Sequence, residues 1–205
     1  MPLTGKLAFR ALASTVLSFL PHTLSQATFS PNNVPPGPVV DVGYASFLGN
    51  ASLPGVEFFG GIRYVQPPLD DLRWRAPEML NETPVADKNI TDARHWGSIC
   101  IQQPAQVGFG SEDCLTLNVW RSPNTKAGDN LPVAVYIHGG GNYYGSAQGF
   151  PMNTWITEND GSIVAVNLQY RLGMLGFLAS SIVEEDGNAN VGLLDQRAAL
   201  NWVRR

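Results

Sequence analysis

The stretch VAVYIHGGGNYYG, Val133 to Gly145, decides how the rest of the chain is read. An apolar strand-like run, Val133–Ile137, leads into His138, and Gly139, Gly140 and Gly141 follow directly. Glycine loses more backbone freedom on folding than any other residue, so a run of them at a strand end marks a close approach to the backbone. A dinucleotide fingerprint needs G-x-G-x-x-G. Gly139 and Gly141 supply its first two positions, but Tyr144 stands where the third belongs. A P-loop needs Gly-Lys-Ser/Thr, which the chain lacks. Two readings remain. One is an oxyanion hole, in which unhindered glycine amides donate to a negative oxygen developing in acyl transfer, each donor being worth about 2.7–4 kcal/mol. The other is a plain strand-end turn with glycines at positive φ.

Outward from this stretch, the 205 residues, 44% hydrophobic, suit one globular domain or part of a larger one. Gly 21 and Pro 15 imply many turns without low complexity. Strand-like runs occur at Val56–Phe59, Leu115–Trp120, Val133–Ile137 and Ile163–Val166. The last two are continuously apolar, as expected for strands buried on both faces of a mostly parallel sheet. Residues 28–40 are Pro-rich and read as extended. Gly192–Val203 reads as a helix with Leu193, Gln196, Leu200 and Val203 near one face and Asn190 as its cap. The order of strand, Gly-rich turn, strand and helix predicts an α/β class.

The N-terminus has the order of a secretory signal: Lys6 and Arg10, an apolar core over Ala11–Leu20, and the small-x-small site Ser25-Gln26-Ala27. Residues 1–27 are therefore expected to be a leader cut after Ala27, with residues 28–205 as the domain proper and an extracellular destination. The apolar core is about half the length of a bilayer span, so no transmembrane segment is expected. Asn50-Ala-Ser, Asn81-Glu-Thr and Asn89-Ile-Thr are glycosylation sequons. The two cysteines, Cys100 and Cys114, suggest one disulfide in an oxidising compartment, worth about 3 kcal/mol in the chain-entropy picture. No CxxC or HxxxH spacing offers a metal site. A net charge of −4 with no basic run beyond Arg204-Arg205 argues against nucleic acid as a partner.

Several blocks carry a family resemblance. VEFFGGIRYVQPPLDDLRWRAPE (Val56 to Glu78), SEDCLTLNVW (Ser111 to Trp120), IHGGGNYYGS (Ile137 to Ser146), VAVNLQYRLGMLGFL (Val164 to Leu178) and GNANVGLLDQRAALNWV (Gly187 to Val203) follow one another in family order. Together they resemble the type-B carboxylesterases, the family of cholinesterases and secreted fungal lipases. The resemblance implies the N-terminal part of an α/β-hydrolase fold: a mostly parallel central sheet with an N-terminal antiparallel section, here ending before the nucleophile strand. It implies serine-type hydrolysis of a small-molecule or lipid carboxylic ester, with no cofactor and no metal. The amides of Gly140 and Gly141 would be two oxyanion donors, with Gly139 allowing the turn and a third donor following the nucleophilic serine. Cys100–Cys114 fits the family disulfide. Arg73 with Glu112, and Arg171 with Asp195, fit its internal ion pairs. His138 would shape the loop, because the catalytic histidine lies downstream in the order Ser, Asp/Glu, His. Ser122 and the Leu168-Gln169 pair depart from the family pattern and are expected to touch no group with a chemical role.

No serine sits in a G-x-S-x-G elbow, and the acid and base of the triad come later still in family order. The chain is therefore expected to be inactive alone and to leave Val133–Ile137 as an open apolar edge. Two other readings stand beside the enzyme: a non-catalytic cholinesterase-like binding protein, and an inactive fragment from a prematurely ended gene model.

Overall fold

The computed structural model describes residues 26–86, 88–104 and 109–205. Of the expected leader, only Gln26 and Ala27 lie among them. Along the chain run β1 (Thr28–Phe29), β2 (Val39–Asp41), β3 (Ser46–Leu48), β4 (Asn50–Leu53), β5 (Val56–Arg63), β6 (Ile90–Asp92), β7 (Thr116–Arg121) and β8 (Val133–Ile137). α1 (Asn153–Glu158), β9 (Val164–Leu168), α2 (Gly173–Phe177), α3 (Ser181–Asp186) and α4 (Val191–Val203) follow. The strand-like runs of the sequence correspond to β5, β7, β8 and β9, with Leu115 and Ile163 each one residue ahead of its strand and β5 extending further than its apolar signal through Gly60 and Gly61.

Two sheets form. The smaller has the order β1-β6-β3-β2, with β3 and β6 parallel and the other pairs antiparallel. The larger has the order β4-β5-β7-β9-β8. Its pairings are antiparallel except β8 with β9, where Val133 to Ile137 run in register beside Val164 to Leu168. The parallel section expected of the whole sheet is thus represented here by one pairing at one edge.

Side chains alternate across this sheet, as the two-residue period of a strand requires. Phe59, Leu117, Val119, Val166 and Leu168 face Phe47 of the small sheet and Ala198, Ala199 and Trp202 of α4. Val56, Trp120, Ala165 and Tyr136 face Met152 and Ile156 at α1. Trp96 packs on this second face, its ring 5.2 Å from Phe58 and 5.5 Å from Trp120. With helices on both faces, β9 is buried along most of its length. β8 is not: among the described residues it pairs only with β9, and Val133 is 45% exposed. The continuous apolar run of Val133–Ile137 therefore does not correspond here to a strand covered on both faces.

Helix α4 forms where the sequence places it, but its buried face is different. Leu193 and Leu200 point outward, while Val191, Gly192, Asp195, Ala198 and Ala199 are buried. The reason is steric and electrostatic. A Cβ at Gly192 would stand 2.6 Å from the Phe177 ring, so this face packs closely on α2 through its small residues, and Asp195 turns inward to meet Arg171. Asn190 occupies the cap position with φ 56°, and its side chain makes no cap bond. Side-chain capping requires an extended backbone at that position, which the left-handed conformation does not provide.

Cys100 and Cys114 are joined in a disulfide. Arg171 binds Asp195 through Nε at 2.8 Å and Nη2 at 2.7 Å, and its backbone N–H donates to the same carboxylate at 3.1 Å. Both side chains are almost wholly buried, at 4% and 0% exposure. Arg73 binds Glu112 in the same forked way, but with 34% and 23% exposure. Removing one partner from a buried pair strands a charge and costs about 3–5 kcal/mol, whereas a solvated pair contributes about 1 kcal/mol or less. Urea unfolding of Arg171→Met should therefore show a loss of about 3–5 kcal/mol, and Arg73→Met a loss of about 1 kcal/mol. Equal losses would show that burial does not separate the two pairs.

Candidate active site loop

The loop leaving β8 spans residues 138–150 and is shaped first by its glycines. Gly140 (φ 120°) and Gly141 (φ 61°) lie in the left-handed region. A Cβ at Gly140 would sit 1.9 Å from the Tyr144 carbonyl oxygen, and one at Gly141 would sit 2.8 Å from the Tyr143 ring. Gly139 has no positive φ, and its Cβ position faces open space. The turn therefore depends on the second and third glycines, which corrects the expectation that Gly139 allows it. The Gly140 carbonyl accepts from the N–H groups of Tyr143 and Tyr144, each at 3.2 Å, and closes the bend. The amides of Gly140 and Gly141 donate to no acceptor among the described residues. Such N–H groups need water or a ligand to satisfy them.

Around the bend, the anchors are polar side chains, buried beneath it and half-buried at its side, together with backbone bonds. Gln102 clasps Gly145 from both sides: its Oε1 accepts from Gly145 N at 2.8 Å and its Nε2 donates to Gly145 O at 3.2 Å. Backbone bonds from Gln103 N to Tyr143 O (2.9 Å) and from Gly173 N to Asn142 O (2.8 Å) hold the outer arm. Beneath, Asn167 Nδ2 donates to the carbonyls of Ala147 and Phe150, both at 2.9 Å. Asn118 Nδ2 donates to Asn167 Oδ1 at 2.8 Å, fixing the orientation of that amide. Gln169 accepts from Ala147 N at 3.2 Å and donates to Ser146 Oγ at 3.2 Å. The departure at Leu168-Gln169 thus meets the loop at Ser146 and Ala147 rather than at the glycine amides, because a buried Gln169 (2% exposed) must satisfy its amide and the loop supplies the partners.

His138 lies under the glycines, 4% exposed. Its ring stacks on Tyr170 at 4.5 Å, the Tyr170 hydroxyl donates to the His138 carbonyl at 2.8 Å, and Nδ1 lies 3.0 Å from the Gly139 carbonyl. Burial pushes its pKa below the ordinary 6.5, outweighing the Gly139 carbonyl that favours the charged form. The imidazole is thus neutral near pH 7, a spacer for the loop. Tyr143 and Tyr144, each 49% exposed, form a tilted pair 5.0 Å apart on the rim.

The arrangement can therefore present two main-chain donors held by a rigid frame, with no charged side chain in the bend itself. His95 is exposed and remote in sequence, in the cleft with Arg63 and Asp113. Asn81 and Asn89 are exposed, whereas Asn50 is half-buried in β4. Among the described residues no group of three or more His, Cys, Asp or Glu could hold a metal, and no helix is long and apolar enough to cross a membrane. Gln102, Asn118 and Asn167 escaped sequence reasoning, and Gln169 stood out there only as a departure from the family pattern. The signal was present: a lone amide inside an apolar strand run, as in Leu117-Asn118-Val119, must find a buried partner.

Two measurements follow from this geometry. Gly140→Ala should lower thermal stability markedly and Gly139→Ala hardly at all, in melts followed by circular dichroism; equal shifts would contradict the loop geometry. For His138, a folded pKa below the unfolded one means that stability is full above about pH 6.5 and is lost as pH falls through the folded value. His138→Phe should remove that part of the acid destabilisation in urea midpoints taken from pH ~7 down to pH ~5.

The Carboxylesterase family model matches residues 36–205. The para-nitrobenzyl esterase of Bacillus subtilis is 40% identical over 157 residues, covering 73% of this chain and 31% of the relative. Lipase 2 of Geotrichum candidum is 34% identical over 193 residues, covering 77% and 34%. The crystal structure of Aspergillus niger EstA superposes with a TM-score of 0.73 at 40% identity, over 82% of this chain and 32% of that one. The chain thus spans about a third of the length of these relatives. Its fold is the N-terminal part of an α/β-hydrolase. By sequence and by superposition, the chain belongs to the carboxylesterase family.

Proposed function

We propose that the loop 138–150 is the oxyanion-holding element of a serine carboxylic-ester hydrolase. The observation that carries this is the pair of amides at Gly140 and Gly141, without an acceptor among the described residues, in a bend clamped by buried and half-buried side chains. In the proposed reaction a serine hydroxyl, deprotonated by histidine, adds to the ester carbonyl. The carbonyl oxygen becomes an oxyanion that accepts from these two amides and from a third donor beside the serine. Collapse expels the alcohol, and water then releases the acid by the same steps. The 205 residues contain no G-x-S-x-G, so serine, acid and histidine are assigned to a segment beyond them. The substrate class is a small-molecule or lipid ester. No cofactor or metal enters this chemistry.

The same reading places the protein outside the cell, as a secreted fungal enzyme. The charged and apolar order of the N-terminal leader supports this, as do the exposed sequons at Asn81 and Asn89 and the Cys100–Cys114 disulfide. A fungal lipase and a fungal esterase structure among the similar proteins agree with such a source.

Two readouts on the 205-residue chain test the assignment. With 15N-labelled protein, acetate as a stand-in for the oxyanion should move the Gly140 and Gly141 amide resonances saturably. A serine-directed aryl phosphonate should leave no stoichiometric label. Unmoved glycine amides would sink the oxyanion assignment, and full labelling would show a nucleophile within these residues.

A further inference from the structure

The expected leader ends in a region that the fold uses. The Ala27 carbonyl accepts from Asp92 N at 2.8 Å, which adds a rung to the β1–β6 ladder of Thr28 beside Thr91 and Phe29 beside Ile90. Gln26 is half-buried, with Nε2 3.4 Å from the Gly60 carbonyl. A Cβ at Gly61 would come within 2.8 Å of that same nitrogen, so the amide of Gln26 lies against a residue that has no side chain. Gln26 and Ala27 thereby form part of the wall of a cleft of about 270 Å³ shared with Arg63, Asp92, His95 and Asp113. A cut after Ala27 would remove the acceptor of the Asp92 amide and place a new ammonium on the first residue of β1.

The sequence offers a second site two residues upstream. Thr23-Leu24-Ser25 is also small-x-small, with Thr23 and Ser25 in the positions a signal peptidase reads. We infer that the leader is removed between Ser25 and Gln26, so that Gln26 and Ala27 remain in the mature domain. This rests on the secretory reading above. In the step, water adds across the Ser25–Gln26 peptide bond, leaving a carboxylate on Ser25 and an ammonium on Gln26. The native β1–β6 ladder keeps its outermost rung, and the Gln26 side chain keeps its seat against Gly61.

The test is translation of the full chain with endoplasmic-reticulum microsomes, followed by mass spectrometry of the processed N-terminal peptide. Processing accompanies translocation, so the result does not depend on how well the product folds. The expected product begins at Gln26. A terminal Gln26 lightened by loss of ammonia, after its amine has closed on its side-chain amide, marks the same cut. A product beginning at Thr28 would overturn the inference and leave the secretory reading standing. An unprocessed chain would overturn both. Ala27→Tyr, which spoils only the downstream site, should leave processing intact, and Thr23→Arg, which spoils only the upstream one, should impair it severalfold. The reverse pattern would also overturn the inference.

Discussion

The run Asn167 to Arg171, at the end of β9 and just beyond it, is the constraint on which the loop depends. Its four polar side chains are buried, at 0% for Asn167 and 2–3% for Gln169, Tyr170 and Arg171. Asn167 holds two loop carbonyls, Gln169 holds a loop amide and a loop hydroxyl, and Tyr170 holds the His138 carbonyl and stacks on its ring. Arg171 ties the same segment to α4 through Asp195 and to the Arg75 carbonyl at 2.8 Å. A buried polar group left without its partner costs about 1–3 kcal/mol, so each of these bonds is held in place by the penalty of breaking it. The loop's shape is therefore inherited from the strand beneath it, and the strand's position is fixed by neighbours on both sides.

That arrangement explains how a glycine-rich bend stays ordered. Its own residues contribute little packing: Gly139, Gly141, Asn142, Tyr143 and Tyr144 are exposed. The order comes from below, through Asn167 and Gln169, and from the side, through Gln102, two residues after a disulfide cysteine. Donors fixed in this way need no reorganisation when negative charge appears, which is the physical basis of oxyanion stabilisation. In the proposed role a neutral His138 fills space beneath the glycines without adding a charge of its own.

Strands, the glycine bend and the ion pairs were legible because each leaves a local or motif-level signature. β8 coincides with its apolar run, and Arg171 with Asp195 and Arg73 with Glu112 meet as the family pattern implies. The buried face of α4 was not legible. Apolar periodicity favoured Leu193 and Leu200, but the contact is decided by the small residues Gly192, Ala198 and Ala199 and by a charged Asp195, which hydrophobicity counts as surface. The amide network was hidden for a related reason. Asn167 and Gln169 look like interruptions of a strand until the loop they serve is placed in space. The division of labour among the three glycines depends on φ angles, and the sequence shows three identical residues.

The small sheet has a consequence for the order in which the chain can fold. β6, at residues 90–92, is the central seam: it pairs with β1 at residues 28–29 on one side and with β3 at residues 46–48 on the other. A polypeptide emerging from the ribosome thus exposes β1 with no partner until some sixty residues later, when β6 appears. Within this sheet, among the described strands, the β2–β3 hairpin is the pairing that can close early. Such long-range closure delays assembly relative to local pairing. The first residues of this sheet are accordingly locked only after the whole stretch from β2 to β5 has been made.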